Sequence, residues 1–273
     1  MSQNIKIGDK TYNGVKYISC ACADHEGEQR RFIDEMSLPE NKLAKLVNGW
    51  VDIALTAEDL AGCTRISDYA FYECRKLVSI VIPDSVTSIG KNAFYECIGL
   101  ENIEIPNSVT SIKEYAFSHC YGSSLTSIVI PNSVTSIENG AFSTCFHLTN
   151  MVIPDGITSI NPYTFYSCSE LSNIVIPDSV TSIGKHAFRS CSGLTSIVIP
   201  DGVTSIGYEA LKIGSTTNKA TITFKRTTPP TISSDTFDAT MLAKIIVPAG
   251  CGDAYKAATN WAAFADYIEE ATA

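Results

Sequence analysis

One phrase recurs through the middle of this chain at a nearly constant spacing. Residues 125–145 are LTSIVIPNSVTSIENGAFSTC, and residues 194–210 are LTSIVIPDGVTSIGYEA. Aligned on its prolines, the unit is L-x-x-I-x-I-P-[DN]-x-V-T-S-I-x-x-x-A-F-x-x-C, and the anchors are Pro83, Pro106, Pro131, Pro154, Pro177 and Pro200. The step from Pro106 to Pro131 is two residues longer than the others, and the surplus lies in YGSS at 121–124. A period of about 23 residues predicts a solenoid in which every unit forms one coil.

The order of residue types within the unit predicts the shape of a coil. In LTSIVIP, Ile128 and Ile130 alternate with outward positions, as in a strand with one buried face. The proline ends that strand because it has no N–H to donate, and the Asp or Asn that follows is typical of a turn. A second short strand carries Val134 and Ile137 inward, and a helical turn at 141–145 closes the coil. The predicted fold is a leucine-rich repeat solenoid of strand, short second strand and helical turn, with caps at both ends.

The two ends depart from the repeat, as the ends of a stacked array should, because their apolar faces need a cover. In SLPENKLAKLVNG, Ser37 and Glu40 form a capping box, so 37–49 is predicted to be a helix. The apolar residues of the tail have helical spacing at Tyr255, Trp261, Phe264, Tyr267 and Ile268. The predicted organisation is a small β-rich extension with two short strands in IKIGDKTYNGVKYIS and a capping helix over 1–50, the solenoid over 51–248, and a C-terminal helical cap over 249–273.

Ten cysteines suggest a disulfide framework until their spacing is considered. Six of them fall once per repeat, at Cys74, Cys97, Cys120, Cys145, Cys168 and Cys191. Stacked coils lie about 5 Å apart, which is close enough for a bridge in distance. The side chains of one column point the same way, however, and this direction suits disulfide geometry poorly. We therefore expect a column of buried free thiols rather than bridges.

The charge balance excludes some classes of partner. The chain has 20 Lys and Arg residues against 29 Asp and Glu, a formal net charge of −9. It lacks the basic clusters that phosphate contacts require, so no nucleic-acid partner is expected. No apolar segment approaches the roughly 20 residues that cross a bilayer, so no membrane insertion is expected. The start, MSQNIKIGDK, lacks the apolar stretch of a secretory signal peptide, so an export signal would lie elsewhere or on a partner.

Two columns of outward side chains on the main strands form the candidate ligand-binding face. The polar column is Ser79, Asn102, Ser127, Asn150, Asn173 and Ser196. The valine column is Val81, Glu104, Val129, Val152, Val175 and Val198. β-Branched residues favour exposed strand positions even without a ligand. A continuous exposed row of valines nevertheless indicates a contact surface for a protein or glycan ligand. Self-association through this face is an alternative, which Glu104 would limit.

Two further rows have structural explanations beside functional ones. A row of threonine hydroxyls would either bind or carry glycans or form a hydrogen-bonded ladder, and the ladder is favoured. Its members are Thr87, Thr110, Thr135, Thr158, Thr181 and Thr204. The turn row is Asp84, Asn107, Asn132, Asp155, Asp178 and Asp201. Calcium takes about six to eight oxygens, whereas each turn supplies one side chain. Asx-turn chemistry explains the turn row better.

The chemistry-bearing side chains form no recognisable catalytic or metal site. CACADH places Cys20, Cys22 and His25 together, but zinc sites need about four ligands and a second pair is missing. His119 precedes Cys120, yet the cysteine should face inward and the histidine outward, so the two are not a catalytic dyad. No G-x-S-x-G motif occurs. We expect no enzyme activity, no metal and no cofactor.

The consensus LTSIVIPDSVTSIGKHAFRSCSG, drawn from the repeats, and the tail IIVPAGCGDAYKAATNWAAFADYI resemble BspA-type leucine-rich repeat proteins. The resemblance covers the chain from about residue 51 to its end. Proteins of this family are typically surface or secreted proteins of anaerobic bacteria of the mouth and gut, and of some parasitic protists. Their known roles are in adhesion. The resemblance therefore implies a non-enzymatic protein at the cell surface or outside the cell, and it supplies no catalytic residues.

Two functions fit these observations. The first is a non-enzymatic binding or adhesion module that recognises a protein or glycan ligand through the outward strand face. The alternative is a structural or display component of a surface or bacteriophage fibre, attached through the N-terminal region. The distinct composition of residues 1–50 favours the alternative.

Overall fold

The computed structural model describes residues 3–7, 10–15, 53–60, 62–122 and 125–272 of the chain. From Ile53 onward the chain winds as a solenoid of parallel strands, with successive coils in register. The predicted leucine-rich repeat solenoid is confirmed. The predicted capping helix at 37–49 and the cysteines and histidine of CACADH lie outside the described residues.

The strands form two rows, one on each of two sides of the coil. Before them, β1 (Gln3–Ile7) and β2 (Lys10–Val15) pair antiparallel, as predicted for this segment. The row of long strands consists of β3 (Ile53–Leu55), β4 (Leu77–Val81), β6 (Asn102–Glu104), β9 (Asn150–Val152), β11 (Asn173–Val175), β13 (Ser196–Ile199), β15 (Ala220–Phe224), β17 (Leu242–Val247) and β18 (Ile268–Glu270). The row of short strands consists of β5 (Ser88–Ile89), β7 (Ser111–Ile112), β8 (Ser136–Ile137), β10 (Ser159–Ile160), β12 (Ser182–Ile183), β14 (Ser205–Ile206) and β16 (Thr231–Ile232). A 3-10 helix, η1 (Ala57–Leu60), follows β3.

Both rows of strands are interrupted near the middle of the array. The long row divides into β3-β4-β6, β9-β11 and β13-β15-β17-β18, and the short row into β5-β7-β8 and β10-β12-β14-β16. In the described coil that begins at Leu125, long-strand pairing is reduced to a bridge between Ser127 and Asn150. This coil follows the segment 121–124, where the repeat is two residues longer. The insertion coincides with the loss of regular pairing.

The core is a set of stacked columns, each made of one residue per coil. The phenylalanine column is Phe71, Phe94, Phe117, Phe142, Phe165 and Phe188, all buried. Neighbouring rings stack with centroids between 5.1 and 5.7 Å apart. Leucines and isoleucines that flank the long strands, such as Leu100 and Ile105 on either side of β6, fill the columns beside them. Each coil covers the apolar face of its neighbour, so the array rather than the single unit is the stable structure.

The cysteine column is buried and unbridged, as predicted. The side chains of this column are buried and form no disulfide bonds: Cys74, Cys97, Cys120, Cys145, Cys168 and Cys191. From Cys97 to Cys191, each thiol of the column donates to the carbonyl oxygen of a phenylalanine one coil earlier, at Sγ–O distances of 3.0–3.3 Å. The oxygen of Phe71, for example, also accepts the N–H of Cys74. The thiols therefore join neighbouring coils by hydrogen bonds as well as filling space.

The segment that closes each coil is a run of hydrogen-bonded turns instead of a regular helix. Two residues per coil have a left-handed backbone there, for example Asn92 (φ 52°) and Glu96 (φ 53°). The N–H groups of Asn92 and Glu96 donate to Glu114 and Ser118 in the next coil, whereas the N–H of Tyr95 donates to Asn92 within the coil. Alternate N–H groups thus point toward the next coil. A helix would keep all of them inside its own turns.

The tail closes the solenoid with two short helices and a strand. Helix α1 (Gly252–Ala257) and the 3-10 helix η2 (Ala262–Tyr267) precede β18, which pairs in parallel with β17. The buried residues of the tail include Tyr255, Trp261, Phe264 and Ile268, and the ring of Trp261 lies against Phe224 and Phe237. Four of the five apolar residues predicted to cover the last coil are thus buried, and the fifth, Tyr267, is half-buried. The predicted helical cap is only partly present, because Ile268 lies in a strand that extends the sheet.

Candidate functional site

In-register pairing places the two predicted outward columns side by side on the row of long strands. We call this surface, made of the polar column and the valine column, the long-strand face. Val81 pairs directly with Glu104, and farther along Val152 pairs with Val175. Because equivalent residues pair, a side chain that occurs once per repeat becomes a continuous column.

The valine column is exposed along its length. The exposed fractions are 40% for Val81, 78% for Val129, 63% for Val152, 50% for Val175 and 46% for Val198. Glu104 interrupts the column and is exposed as well. Residues between the outward positions, such as Ile80 and Ile128, are buried. An apolar row of this length in water is typical of a contact surface.

The polar column beside the valines offers hydrogen-bonding groups. Its members from Asn102 to Ser196 are exposed, and Ser79 is half-buried. The amide of Asn150 donates to Thr149 Oγ1 at 2.9 Å, which fixes its orientation. The face therefore combines apolar contact with donors and acceptors that can select a partner.

The long-strand face extends beyond the residues that the repeat predicted. β15 and β17 continue the pairing from β13, so Thr221 and Lys244 lengthen the polar column while Thr223 and Ile246 lengthen the valine column. The alignment on prolines missed them because the motif decays before they are reached. The alternation in ATITF at 220–224 indicates a strand, but not its register against β13.

The extended face is almost without charge, although the chain as a whole carries −9. Its charged residues are Glu104, Lys244 and, in β18, Glu269, which pairs with Ile246 in the valine column. Lys244 Nζ lies 3.3 Å from Glu269 Oε2, and both groups are solvent-exposed, so this pair contributes little stability. Recognition at this face would depend on shape, apolar contact and hydrogen bonds rather than on charge steering.

The threonine row is a hydrogen-bonded ladder, as favoured from the sequence. The hydroxyls of Thr87, Thr110, Thr135, Thr181 and Thr204 each donate to the backbone carbonyl of the threonine one coil earlier, at 3.0–3.5 Å. Beside this row, the hydroxyls of Ser159 and Ser182 lie 2.9 Å apart. These hydroxyls join coils.

The turn row is closed mainly by the backbone. The N–H of Val86 donates to Pro83 O at 3.0 Å, and the same bond recurs in each later repeat. Ser108 Oγ then donates to Val86 O of the preceding coil at 2.6 Å. Main-chain and serine bonds thus hold the turn. Among the described residues, no group of three or more His, Cys, Asp or Glu side chains could hold a metal ion.

His119 and Cys120 do not act together, as the sequence indicated. Cys120 lies in the buried column, where a hydrogen bond with Cys145 and burial raise its pKa well above the ordinary thiol value. The His119 ring lies 4.9 Å from the Tyr95 ring, and burial lowers its pKa. A buried thiol that keeps its proton is not a nucleophile.

An aromatic row on the turn side of the coils was not predicted. Its members are Tyr72, Tyr95, His119, Tyr121 and Phe146, with neighbouring ring centroids 4.9–6.2 Å apart. Tyr72 and Tyr95 stack face to face, so those faces are occupied within the protein. Burial, with Glu73 next to it, raises the pKa of Tyr72 to about 12. The row is hard to see in the sequence because it changes position within the unit, from the residue after the column phenylalanine (Tyr72, Tyr95) to the residue after the column cysteine (Tyr121, Phe146).

A buried ion-pair cluster was also missed. The Glu209 carboxylate contacts Lys212 Nζ at 2.9 Å, His186 Nδ1 at 3.2 Å, and the Arg189 guanidinium. Burial, followed by the charges of Arg189 and Lys185, lowers the pKa of His186. These residues fall at variable positions of two neighbouring repeats, so no motif could locate the cluster. The two cations Arg189 and Lys212 thus pair with the buried Glu209 carboxylate and join neighbouring coils.

Comparison with known proteins assigns the repeats to a family. Residues 64–159 and 121–243 match the BspA type leucine-rich repeat region, in six copies. The chain belongs to the BspA-type leucine-rich repeat family. Proteins of leucine-rich repeat families are scaffolds that generally mediate protein interactions, and they are not typically enzymes. No curated protein matches the sequence.

The comparison with solved structures found other leucine-rich repeat proteins. A leucine-rich repeat protein from Bacteroides ovatus is 24% identical, with 89% of this chain and 61% of that chain covered and a TM-score of 0.54. This member of the BspA-type family thus spans 61% of the length of that protein. The T. pallidum leucine-rich repeat protein is 29% identical over 63% of this chain and 73% of its own, with a TM-score of 0.43. A leucine-rich cell surface protein from Faecalibacterium prausnitzii is 21% identical over 77% of this chain and 83% of its own, also with a TM-score of 0.43.

The helices of the described part of the chain were compared with the requirements of a membrane span. None of its helices has the length and apolar character that crossing a bilayer demands.

Proposed function

We propose that this chain is a non-enzymatic binding or adhesion module that recognises a protein ligand through the long-strand face, at a cell surface or outside the cell. The observation that carries the proposal is the exposed valine column, 40–78% accessible at its five valines. Membership of a repeat family that generally mediates protein interactions supports it. Glycan recognition through the polar column is the other outcome of the test below.

Binding at such a face is expected to be distributed over several coils. Each valine presents the same small apolar group, so the contact is spread along the column. Hot spots of interfaces lie near the centre of the contact, where water is excluded. Val152 and Val175 occupy that central part, since they pair directly in the middle of the column.

The test places charge on the long-strand face and on a control face. The face variant is Val152→Glu with Val175→Glu, and the matched control is Thr158→Glu with Ser205→Glu on the exposed side of the short strands. A panel of extracellular-matrix proteins and glycans is screened by biolayer interferometry. We expect the face variant to lose at least about tenfold in affinity for any ligand found, because buried unpaired charges are costly at an interface, and the control to bind as the unsubstituted chain does.

Two results would contradict the proposal. One is a panel on which the unsubstituted chain binds nothing above background. The other is a ligand that binds the face variant and the control variant equally. Thermal melts of both variants show that they are folded before binding is compared.

The fibre alternative has a separate observation in its favour. The antiparallel pair β1–β2 differs from the parallel strands of the array and belongs to an N-terminal segment outside the repeats. If that segment attaches the chain to an assembly, light scattering should show a discrete oligomer that disappears when residues 1–50 are deleted. An oligomer that survives the deletion excludes attachment through this segment.

A further inference from the structure

We infer that the buried thiols of Cys120 and Cys145 form a two-coordinate site for one soft cation of the class of Hg(II) or Cu(I). The inference is independent of the proposed function, because it concerns the core of the solenoid and not the long-strand face. The expectation of no metal site rested on the about four ligands that zinc needs. Soft cations prefer thiolate sulfur to oxygen or nitrogen, and this class takes two donors in a line.

The spacing of the coils matches the length of a sulfur–cation–sulfur bridge. Successive coils lie about 4.8 Å apart, and two metal–sulfur bonds of about 2.3 Å each span about 4.6 Å. The rings of Phe117 and Phe142, three residues before the two cysteines, lie parallel with centroids 5.5 Å apart, so the coils are stacked in this way here. A disulfide needs its sulfur atoms about 2.05 Å apart. The separation that disfavours a disulfide therefore suits a cation between the sulfur atoms.

The direction of the two side chains suits a cation as well. Cys120 Sγ lies 3.3 Å from Phe94 O, and Cys145 Sγ lies 3.1 Å from Phe117 O. Each thiol thus contacts the equivalent carbonyl of the preceding coil, so the side chains are parallel and the sulfur atoms are displaced along the solenoid axis. The two thiols share a hydrogen bond, so no other side chain lies between them. A cation placed midway has both sulfur atoms in line.

Burial determines how charge is balanced at this pair. Both side chains are at most 1% exposed. A hydrogen bond with Cys145 and burial raise the pKa of Cys120 well above the ordinary thiol value, so that thiol keeps its proton. Hg(II) displaces two protons to water and forms two sulfur–metal bonds, whereas Cu(I) displaces one proton and takes the second thiol as a neutral donor. Both exchanges avoid a buried net charge, which would be costly.

The seam between these two coils offers a route of entry. Among the described residues, no long-strand pairing crosses it, because β6 pairs with β4 and the coil that begins at Leu125 forms its bridge with the following coil. The seam between Cys168 and Cys191 is different, since β9 pairs with β11 there. Local opening is less costly where fewer backbone hydrogen bonds must break. A cation is therefore expected to enter between Cys120 and Cys145 first.

Binding has a structural cost that the metal–sulfur bonds must exceed. It removes the two thiol hydrogen bonds, to Phe94 O and Phe117 O. Phe94 O keeps the N–H of Cys97 at 3.2 Å, so one of the two carbonyl groups remains bonded. The backbone of both coils can stay in place, because the bridge has the length of one coil step.

The first experiment measures uptake of Hg(II) by the full chain carrying Cys20→Ser, Cys22→Ser and Cys251→Ser, which removes three thiols outside the column. With one equivalent, native mass spectrometry should show one bound mercury and the loss of two protons. X-ray absorption should show two sulfur neighbours at about 2.3 Å and no nitrogen or oxygen. Zn(II) at the same concentration should not bind, because it needs about four ligands.

The second experiment locates the site with matched pairs of substitutions in that background. Cys120→Ala with Cys145→Ala removes the site, and Cys168→Ala with Cys191→Ala removes two thiols of the same column at a paired seam. Uptake should slow at least about tenfold in the site variant and stay unchanged in the control, because the remaining thiols lie at seams that strand pairing holds closed. Cys145→Ala alone should slow uptake equally and replaces the double variant if thermal melts show that variant to be unfolded.

Thermal stability gives an independent readout. One equivalent of Hg(II) should raise the melting temperature of the background protein and of the control, because the cation binds the folded chain. The site is refuted by a third ligand or by nitrogen or oxygen around the mercury, by Zn(II) binding at the same concentration, by equal uptake in the site variant and the control, or by a fall in melting temperature. None of these results bears on the proposed function, which the ligand panel decides.

Discussion

Phe142 occupies the middle of the phenylalanine column, where its ring stacks against Phe117 at 5.5 Å and against Phe165 at 5.7 Å. Phe142→Ala would leave a cavity between rings of different coils, and neither coil can collapse into it without losing inter-coil hydrogen bonds. We expect the free energy of unfolding to fall by about 3–5 kcal/mol, measured by urea denaturation. Phe146→Ala is the control, since Phe146 is 37% exposed, and it should cost about 1 kcal/mol or less. Equal losses would show that Phe142 is not a core residue.

The buried thiols should make stability fall at alkaline pH. Burial raises the pKa of Cys191 from 9.0 to about 12. Between those two values the folded chain keeps this proton and the unfolded chain releases it, so the free energy of unfolding decreases as the pH rises from 9 to 12. Below pH 9 both states are protonated and the effect is absent.

The check is denaturant unfolding of a cysteine variant across this pH range. In Cys191→Ala, the free energy of unfolding should fall less steeply with pH, by up to about 1.4 kcal/mol per pH unit. Cys251→Ala, outside the column, is the control. The variant also loses the hydrogen bond to Phe165 O, but that loss is present at every pH. An unchanged slope in Cys191→Ala would mean that the thiol ionises in the folded chain.

At the scale of the element, the closing turns hold conformations that are unusual for their residue types. Thr144 has φ 61°, and its N–H donates to Tyr166 O in the next coil. A left-handed residue with a Cβ costs about 1–2 kcal/mol, whereas glycine costs about 0.5–1 kcal/mol in backbone entropy. We therefore expect Thr144→Gly to be neutral or to stabilise by up to about 1 kcal/mol in thermal and urea unfolding. Thr126→Gly, at a negative φ, should destabilise instead, and the reverse order would contradict this account.

The sequence predicted the strands of each coil but not these turns. Strands are visible because Ile and Val recur at fixed positions, and burial of those positions decides the structure. The left-handed positions hold Asn92, Tyr115, Thr144 and Glu209 in different coils, so no shared residue type marks them. Hydrogen bonds from the next coil impose the conformation, and those bonds are not local in the sequence.

The tail shows the same limit of local patterns. Its aromatic spacing is compatible with one helix, yet the chain breaks into α1, η2 and β18. The edge of β17 offers unpaired backbone groups, and β18 satisfies them. Glu270 then accepts the N–H groups of Gly250 and Gly252, each at 2.8 Å, which fixes the end of the strand. Pairing with an existing sheet outweighs helical periodicity at this end.

At the scale of the whole molecule, stacking converts a repeated residue into a surface. The valine and polar columns could be placed from the sequence because a period of about 23 residues fixes which side chains align. The extension through Thr221, Thr223 and Lys244 could not, because it lies where the motif decays and only the sheet register defines it. The ligand cannot be read in this way, since repeated valines, serines and asparagines suit many partners.

A stack of this kind should behave as a one-dimensional array, in which each coil interacts with its neighbours alone. Phe142 and Phe165 are in direct contact, whereas three rings separate Phe71 from Phe165. In double-mutant cycles of Phe→Leu variants, followed by urea unfolding, Phe142 and Phe165 should couple by about 0.5–3 kcal/mol. Phe71 and Phe165 should be additive within about 0.5 kcal/mol, because a change in one coil is absorbed by the coils between. Coupling of similar size for both pairs would require a deformation shared by the whole solenoid, and the columns could not then be treated as a sum of local contacts.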